Sequence, residues 1–503
     1  MTRHKSDASP RPEDERLPLG TTFTFGLQHV LTMYGGIIAV PLIMGTAAHL
    51  NSTDIALLIT SCLFVGGFAT LLQTIGIPFF GSQLPLVQGV SFAAVSTMLT
   101  IVNTGGGLPG VFGAIIVAAV FGVVVAPFFA MILHLFPPVV TGTIITTIGL
   151  TLVPVAGGWV MGGQGSPGFG SVSNIGLAAF TLLVVMLLSK IGSGIISRLS
   201  ILIGMIVGTI FAAIIGKADF SKVFDGPIFA FPTPFAFGMP TFNVAAILSM
   251  IIVVLVIMTE TTADIIAVGE VVGAKVDAKR VAAGLRADMA ASAISPIFNS
   301  FTQSAFAQNV GLVAVTKVKG RFVVAAGGLI LVLLGVLPVL GRVVAAVPMP
   351  VLGGVGIVLF GTVTASGIRT LSKVDYVDNM NLIIVATSLT FGVLPVAVPK
   401  IYDQFPDWFE VIFGSGISSA AIMAVLLNLL FNRLKLGTPK TPSVFAASPT
   451  RYVRRDVLAA LETGDRVEDG KLVDCDGVEI PVIDDDTASA PPDTSARDDE
   501  TGT

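Results

Sequence analysis

A small set of side chains able to do chemistry stands in sequence that is otherwise apolar. His29 follows Gln28, Glu260 precedes Asp264 by four residues, Arg286 and Asp288 lie close together, and Gln308 adjoins Asn309. A spacing of four places Glu260 and Asp264 on one helix face, and that face should look into a polar cavity. A carboxylate at membrane depth costs several kcal/mol, so its presence there points to ligand or proton handling. Asp288 suits either a coupling residue or an ion-pair partner, and Arg286 a structural counter-charge to one of these carboxylates. Asp264 could be a functional carboxylate or a capping group, and His29 reads more readily as a packing histidine than as a ligand. No nucleophile and base, zinc signature or phosphate loop accompanies the set, which argues against an enzyme. Cys62 and Cys475 are the two cysteines, far apart, and neither a disulfide framework nor a structural zinc site is expected.

The elements that must position these groups are membrane-spanning. The chain has 503 residues, 53% hydrophobic and 12% charged, about half the charge a soluble chain carries. Residues 19–430 hold fifteen Lys/Arg against thirteen Asp/Glu, whereas 431–503 hold nine against fifteen. The net charge of −4 therefore belongs to the acidic tail and says nothing about the substrate. A span needs ~20 apolar residues, and fourteen stretches qualify between 20 and 432. With the N-terminus inside, ten loop Lys/Arg fall on inner loops and four on outer ones, the bias expected of cytoplasmic loops. Both termini are then cytoplasmic, and no cleaved signal is expected.

Two stretches read badly as continuous helices. The third, 84–100, contains Leu84-Pro-Leu-Val-Gln-Gly-Val-Ser-Phe92, and the tenth, 302–317, follows a run of small and polar residues from Phe301 to Gly311. Each is third in its half of seven, and such paired interruptions point to a transporter binding site. Gly-rich spacings such as Gly353 to Gly356 read as close packing. The segment after 432 is rich in Pro, Asp and Thr and is expected to be largely disordered, with a short helix conceivable at Arg454–Leu461.

The motifs resemble one family. Gln308-Asn309-Val-Gly311-Leu-Val-Ala-Val-Thr316-Lys317, Gln28-His29, Glu260-Thr-Thr-Ala-Asp264, Ala287-Asp288 and Gln88-Gly89-Val-Ser91-Phe92-Ala93 occur in the order of the nucleobase–ascorbate transporters, or nucleobase:cation symporter 2. The resemblance covers 20–430. It implies an all-α polytopic membrane protein of fourteen segments in two inverted seven-span repeats, with short strands in the third and tenth. It further implies a core domain of 19–135 and 241–346 and a gate domain of 136–240 and 347–432, between cytoplasmic tails of 1–18 and 433–503.

By the same resemblance the substrate lies between the interrupted spans. Glu260 and Gln308 would hold the base edge, Ser91 and the N–H groups near Phe92 and Ala307 would add contacts, and the Phe92 ring would pack on the base. Asp288, Asp264, His29, Asn309 and Thr316 would organise the site or its coupling. Uracil-type members carry Glu where this chain has Gln308 and His where it has Asp264, and ascorbate-type members carry Pro at the Gln308 position. Ala263 departs from the Gly common before that Asp. An amide offers both acceptor and donor, which suits an oxidised purine, and the pattern looks like the xanthine and uric acid branch. The implied activity is proton symport of a purine base across the plasma membrane by alternating access. Lipid surroundings, a homodimer through the gate domain, no cofactor beyond the coupling H+ and no nucleic-acid partner are expected. A uracil or other pyrimidine symporter, and an anion transporter or channel on the same fold, are the alternatives.

Overall fold

The structure, a computed structural model, describes residues 11–434 except 164, 193, 222 and 377–379, together with 465–468 and 471–473. The chain forms two compact units, Met1–Pro442 and Ser443–Thr503. The described part of the second is an antiparallel pair of short strands, Arg466–Glu468 with Lys471–Val473. The helix expected at 454–461 and the acidic runs lie outside the described residues.

The first unit is helical. Helix α1 spans Leu19–Ala47. Helix α2, Ser52–Ile75, starts where the Asn51 side chain accepts the N–H groups of Thr53 and Asp54, and ends at Gly76 with φ +72°. Strand β1, Gln88–Val90, leads through a turn at Phe92–Ala94 into α3, Val95–Ile101, and α4, Gly107–Val125. The second series repeats the order. Helix α5, Val244–Val272, is capped by Asn243 and stopped by left-handed Gly273; α6, Ala278–Ile294, is capped by Asp277. Strand β2, Gln303–Ala305, then precedes α7, Ala307–Thr316, and α8, Arg321–Gly335. Helices Pro138–Thr151, Val172–Ile191, Ser200–Ile214, Met349–Leu371, Met380–Ala397 and Gly416–Asn428 pack largely on one another.

Helix packing uses glycine where backbones meet. A Cβ on Gly67 would lie 2.6 Å from the Gly328 carbonyl oxygen, and one on Gly26 2.9 Å from the Gly327 nitrogen. Side chains there would force α8 away from α1 and α2.

Among the described residues, nine helices are long and apolar enough to cross a membrane, or ten if Arg321–Gly335 and Pro338–Ala345, bent by 80°, form one span. The other four expected stretches fall short for identifiable reasons. The third runs on into the fourth as Phe92–Phe128, and Ser200–Ile214 has only 15 residues. Helix α6 carries Lys279, Arg280, Arg286 and Asp288, and the tenth stretch is a strand plus a ten-residue helix.

The interrupted stretches form one two-stranded ribbon. Gln88 pairs with Ala305, Gly89 with Ser304 and Val90 with Gln303, and the ladder extends through Ser91 N to Thr302 O (2.9 Å) and Phe306 N to Val87 O (3.1 Å). Both edges are satisfied by side chains, as backbone at membrane depth requires. Thr70 of α2 accepts the Gln88 N–H at 2.9 Å, and Ser292 of α6 accepts the Gln303 N–H at 2.8 Å.

Residues 11–18, read from sequence as the end of a tail, are bound to the helices. Glu13 is 2% exposed and meets Arg280 at 2.6 Å, while Asp14 meets Arg321 at 2.7 Å. Arg280 also donates to the carbonyls of Ser82, Gln83 and Lys275, and Arg321 to those of Thr74 and Ile75. The segment thus straps one end of α2, α6 and α8 together.

Candidate substrate-binding site

The ribbon sets two helix starts side by side. Ser91 caps the turn at Phe92 by accepting the Ala93 N–H at 3.2 Å. Across the ladder, α7 begins without any side-chain cap, and Ala307 and Gln308 in its first turn are exposed. Their N–H groups are the uncompensated positive end of a helix, available to a ligand acceptor.

Rings fix the crossing. A Cβ on Gly36 or on Gly89 would fall 2.7 Å from the Phe306 ring, so α1 and β1 clamp Phe306 from two sides and only glycine fits at both. The Phe92 ring is partly exposed and meets Phe360 of Met349–Leu371 edge to face, with centroids 6.1 Å apart. One side of this aromatic ring is thereby set and the other is left for a planar ligand.

Glu260 and Asp264 lie one turn apart on α5, both partly exposed, and neither carboxylate has a hydrogen-bond or ion-pair partner. They are near enough for their charges to interact. Thr261, next to Glu260, accepts the Ala305 N–H at 3.4 Å, which ties this turn of α5 to the strand end just before Ala307. The site therefore has two acceptors from Glu260, a free amide from Gln308, helix N–H donors and a ring. That combination recognises a flat, polar, nitrogen-rich molecule.

The remaining expected residues are placed unevenly. Asn309 Nδ2 lies 2.9 Å from His29 Nδ1 and donates to the His29 carbonyl at 3.1 Å. Both residues are buried, so they join α7 to α1. Asp288 is 1% exposed and accepts from Thr261 at 2.7 Å, behind the ribbon and out of the mouth. Thr316 sits two turns down α7 from Gln308, where its hydroxyl donates to Leu312 O. Arg286 does not pair with any of the carboxylates: it reaches the Phe79 carbonyl at 2.9 Å, because its place on α6 turns it toward the loop after α2. Thr261, Ser292 and Phe306 organise the site and were not singled out by sequence. Thr261 lies inside the Glu260–Asp264 motif, which was the one available signal. Among the described residues no three His, Cys, Asp or Glu side chains gather as a metal site would need.

Broken helices that meet at a short ribbon, with an unpaired carboxylate beside them, define a membrane transporter. Residues 20–401 match the family model Xan_ur_permease, described as a permease family, and the chain belongs to that family, the nucleobase–ascorbate transporters. Its members are permeases, not enzymes. The chain is 40% identical over 433 residues to the "Uric acid transporter UacT" of Escherichia coli (strain K12), covering 85% of this chain and 90% of that one. It is 40% identical to "Uric acid permease PucJ" (82% of this chain, 92% of that one) and 39% identical to "Xanthine permease" (82% and 94%), both of Bacillus subtilis (strain 168). The fold is similar to the transmembrane domain of the cyanobacterial bicarbonate transporter BicA, with a TM-score of 0.52 at 15% identity over 83% of this chain and 98% of that one. It is likewise similar to the murine Slc26a9 anion transporter in the inward-facing state, at 0.56 and 14% over 83% and 69%.

Proposed function

We propose that this protein imports a purine base, xanthine or uric acid, together with a proton. The observation that carries the reading is the free Glu260 carboxylate set opposite the uncapped start of α7 and its free Gln308 amide. Glu260 accepts N–H groups of the base, Gln308 both donates and accepts, the Ala307 and Gln308 N–H groups take a carbonyl oxygen, and Phe92 covers one face. The names of the relatives support the same substrate class. The amide at position 308 favours a purine over uracil. Two carboxylates and the absence of any basic side chain at the mouth disfavour an anion as cargo, although the fold is shared with anion transporters.

Transport proceeds by alternating access on a fourteen-segment, inverted-repeat plan. A core of 19–135 and 241–346 carries the site against a gate of 136–240 and 347–432, with both termini cytoplasmic in the plasma membrane and the gate pairing two copies. A carboxylate of the Glu260, Asp264 and Asp288 set carries the proton from outside and keeps it until the core moves. The test is labelled xanthine uptake by cells expressing Glu260→Gln or Gln308→Ala at wild-type membrane levels. Both variants are expected to fall to the background of cells without the protein; normal uptake by either would remove the site assignment.

A further inference from the structure

We propose that the seam between α2 and α6 holds a file of ordered water that gives Asp288 its own proton route to the Arg280 rim, separate from the substrate mouth. The inference rests on the proton-coupled reading above. Arg280, Gly284 and Asp288 recur every fourth residue, so they share one face of α6 with about 6 Å of rise between neighbours. At Gly284 the absence of a side chain brings α2 close: a Cβ there would lie 3.2 Å from Gln73 Nε2 and 3.2 Å from Ser82 Cβ.

Along this face the buried polar atoms lack partners. Gln73 Nε2, Ser82 Oγ and Asp288 Oδ1 have no hydrogen bond, and neither have the two amide atoms of Gln88. All four residues are at most 1% exposed. Gln88 belongs to the same seam, because its backbone is held by Thr70, one turn from Gln73 on α2. It also sits across the ladder from Ala305, whose N–H shares the Thr261 hydroxyl with Asp288. Five orphaned buried atoms between two adjoining helices are far outside what folded proteins tolerate without bound water. A donor, a hydroxyl, an amide and a carboxylate oxygen supply the two to four partners such waters need.

The charged groups facing Asp288 are few. Asp264 of α5 lies near enough to interact with it, Arg286 is turned to Phe79, and the Glu13–Arg280 pair closes the far end. In the step itself Asp288 passes its carboxyl proton to the first water, the hydrogen bonds of the file shift by one place, and one proton leaves at the rim. A carboxylate and neutral waters remain, so charge and atoms balance.

The test uses the full chain in proteoliposomes with Gln73→Met and Ser82→Ala. Xanthine counterflow, which needs no net proton movement, is expected to stay at the wild-type level in both, while accumulation driven by a pH gradient falls about tenfold or more, as loss of a proton-transfer step does. X-ray radiolytic labelling, which activates water in place, should oxidise the wild-type Ile265 side chain. That residue is fully buried, yet its Cδ1 would touch a Cβ on Gly284; Gln73→Met should reduce the labelling. An unlabelled Ile265, driven accumulation equal to wild type in both variants, or counterflow lost together with accumulation would each overturn the route. Wild-type accumulation that ignores the pH gradient would instead refute proton coupling, whatever Ile265 shows.

Discussion

Glu13→Ala cuts the strap that residues 11–16 lay across α2, α6 and α8. Glu13 is buried, and Arg280 keeps 14% of its side chain exposed. Arg280 retains the carbonyls of Ser82, Gln83 and Lys275 after the change, so the guanidinium is not stranded. The loss is one charge-assisted hydrogen bond, about 1.5–3 kcal/mol. Spread over the unfolding entropy of roughly 420 residues, this lowers Tm by about 2–3 °C. The effect depends on pH with a definite sign. Burial alone would raise the Glu13 carboxyl, but hydrogen bonds from its own backbone and from Arg280, with the Arg280 charge, outweigh it and hold the group below its ordinary value of 4.5. A lowered folded-state value means the contribution is fully present above the ordinary carboxylate range and is lost as pH falls through the lowered value. Thermal denaturation in detergent at pH 7 should separate wild type from Glu13→Ala, and the gap should close on acidification. Hydrogen exchange should quicken locally at residues 77–83. Equal Tm values at pH 7 with unchanged exchange in that loop would show that the strap is not a stabilising contact.

Three further outcomes follow from the site. Thr261→Val keeps the shape of the side chain but strands Asp288 Oδ2 and the Ala305 N–H, and should cost about 1.5–3 kcal/mol in thermal stability and most of the uptake; wild-type values for both would contradict the bridge. Gly89→Ala drives a methyl into Phe306 and should destabilise by about 1–3 kcal/mol, with uptake partly restored by adding Phe306→Leu; no effect of the single change would contradict the clamp. Asn309→Ala removes both bonds to His29 and should raise the KM for xanthine while protein remains in the membrane, whereas an unchanged KM would mean that α7 is positioned without them.

Much of this site was legible because its chemistry is expensive in a membrane. Carboxylates at 260, 264 and 288 stand out against apolar sequence, and Pro85, Gly89 and the polar run from Thr302 marked the two breaks that became the ribbon. Thr261 and Ser292 were not legible, because a hydroxyl in an apolar span reads as neutral until the strand edge it serves is known. Arg286 misled because sequence proximity to Asp288 says nothing about which way a long side chain leaves the helix. Residues 11–16 looked like tail for the same reason: Arg280, which buries Glu13, comes from another helix far along the chain. Hydropathy alone undercounted the expected segments wherever strands or charges replaced continuous apolar helix.

The central claim is that Glu260 and Gln308 select and carry a purine base. Its most direct test is accumulation of labelled xanthine in proteoliposomes under an inward proton gradient, with unlabelled uric acid and uracil as competitors and Glu260→Gln as the control. The account predicts accumulation by the wild type, competition by uric acid but not uracil, and none above empty liposomes for Glu260→Gln. Accumulation by Glu260→Gln equal to wild type, or competition by uracil alone, would contradict it.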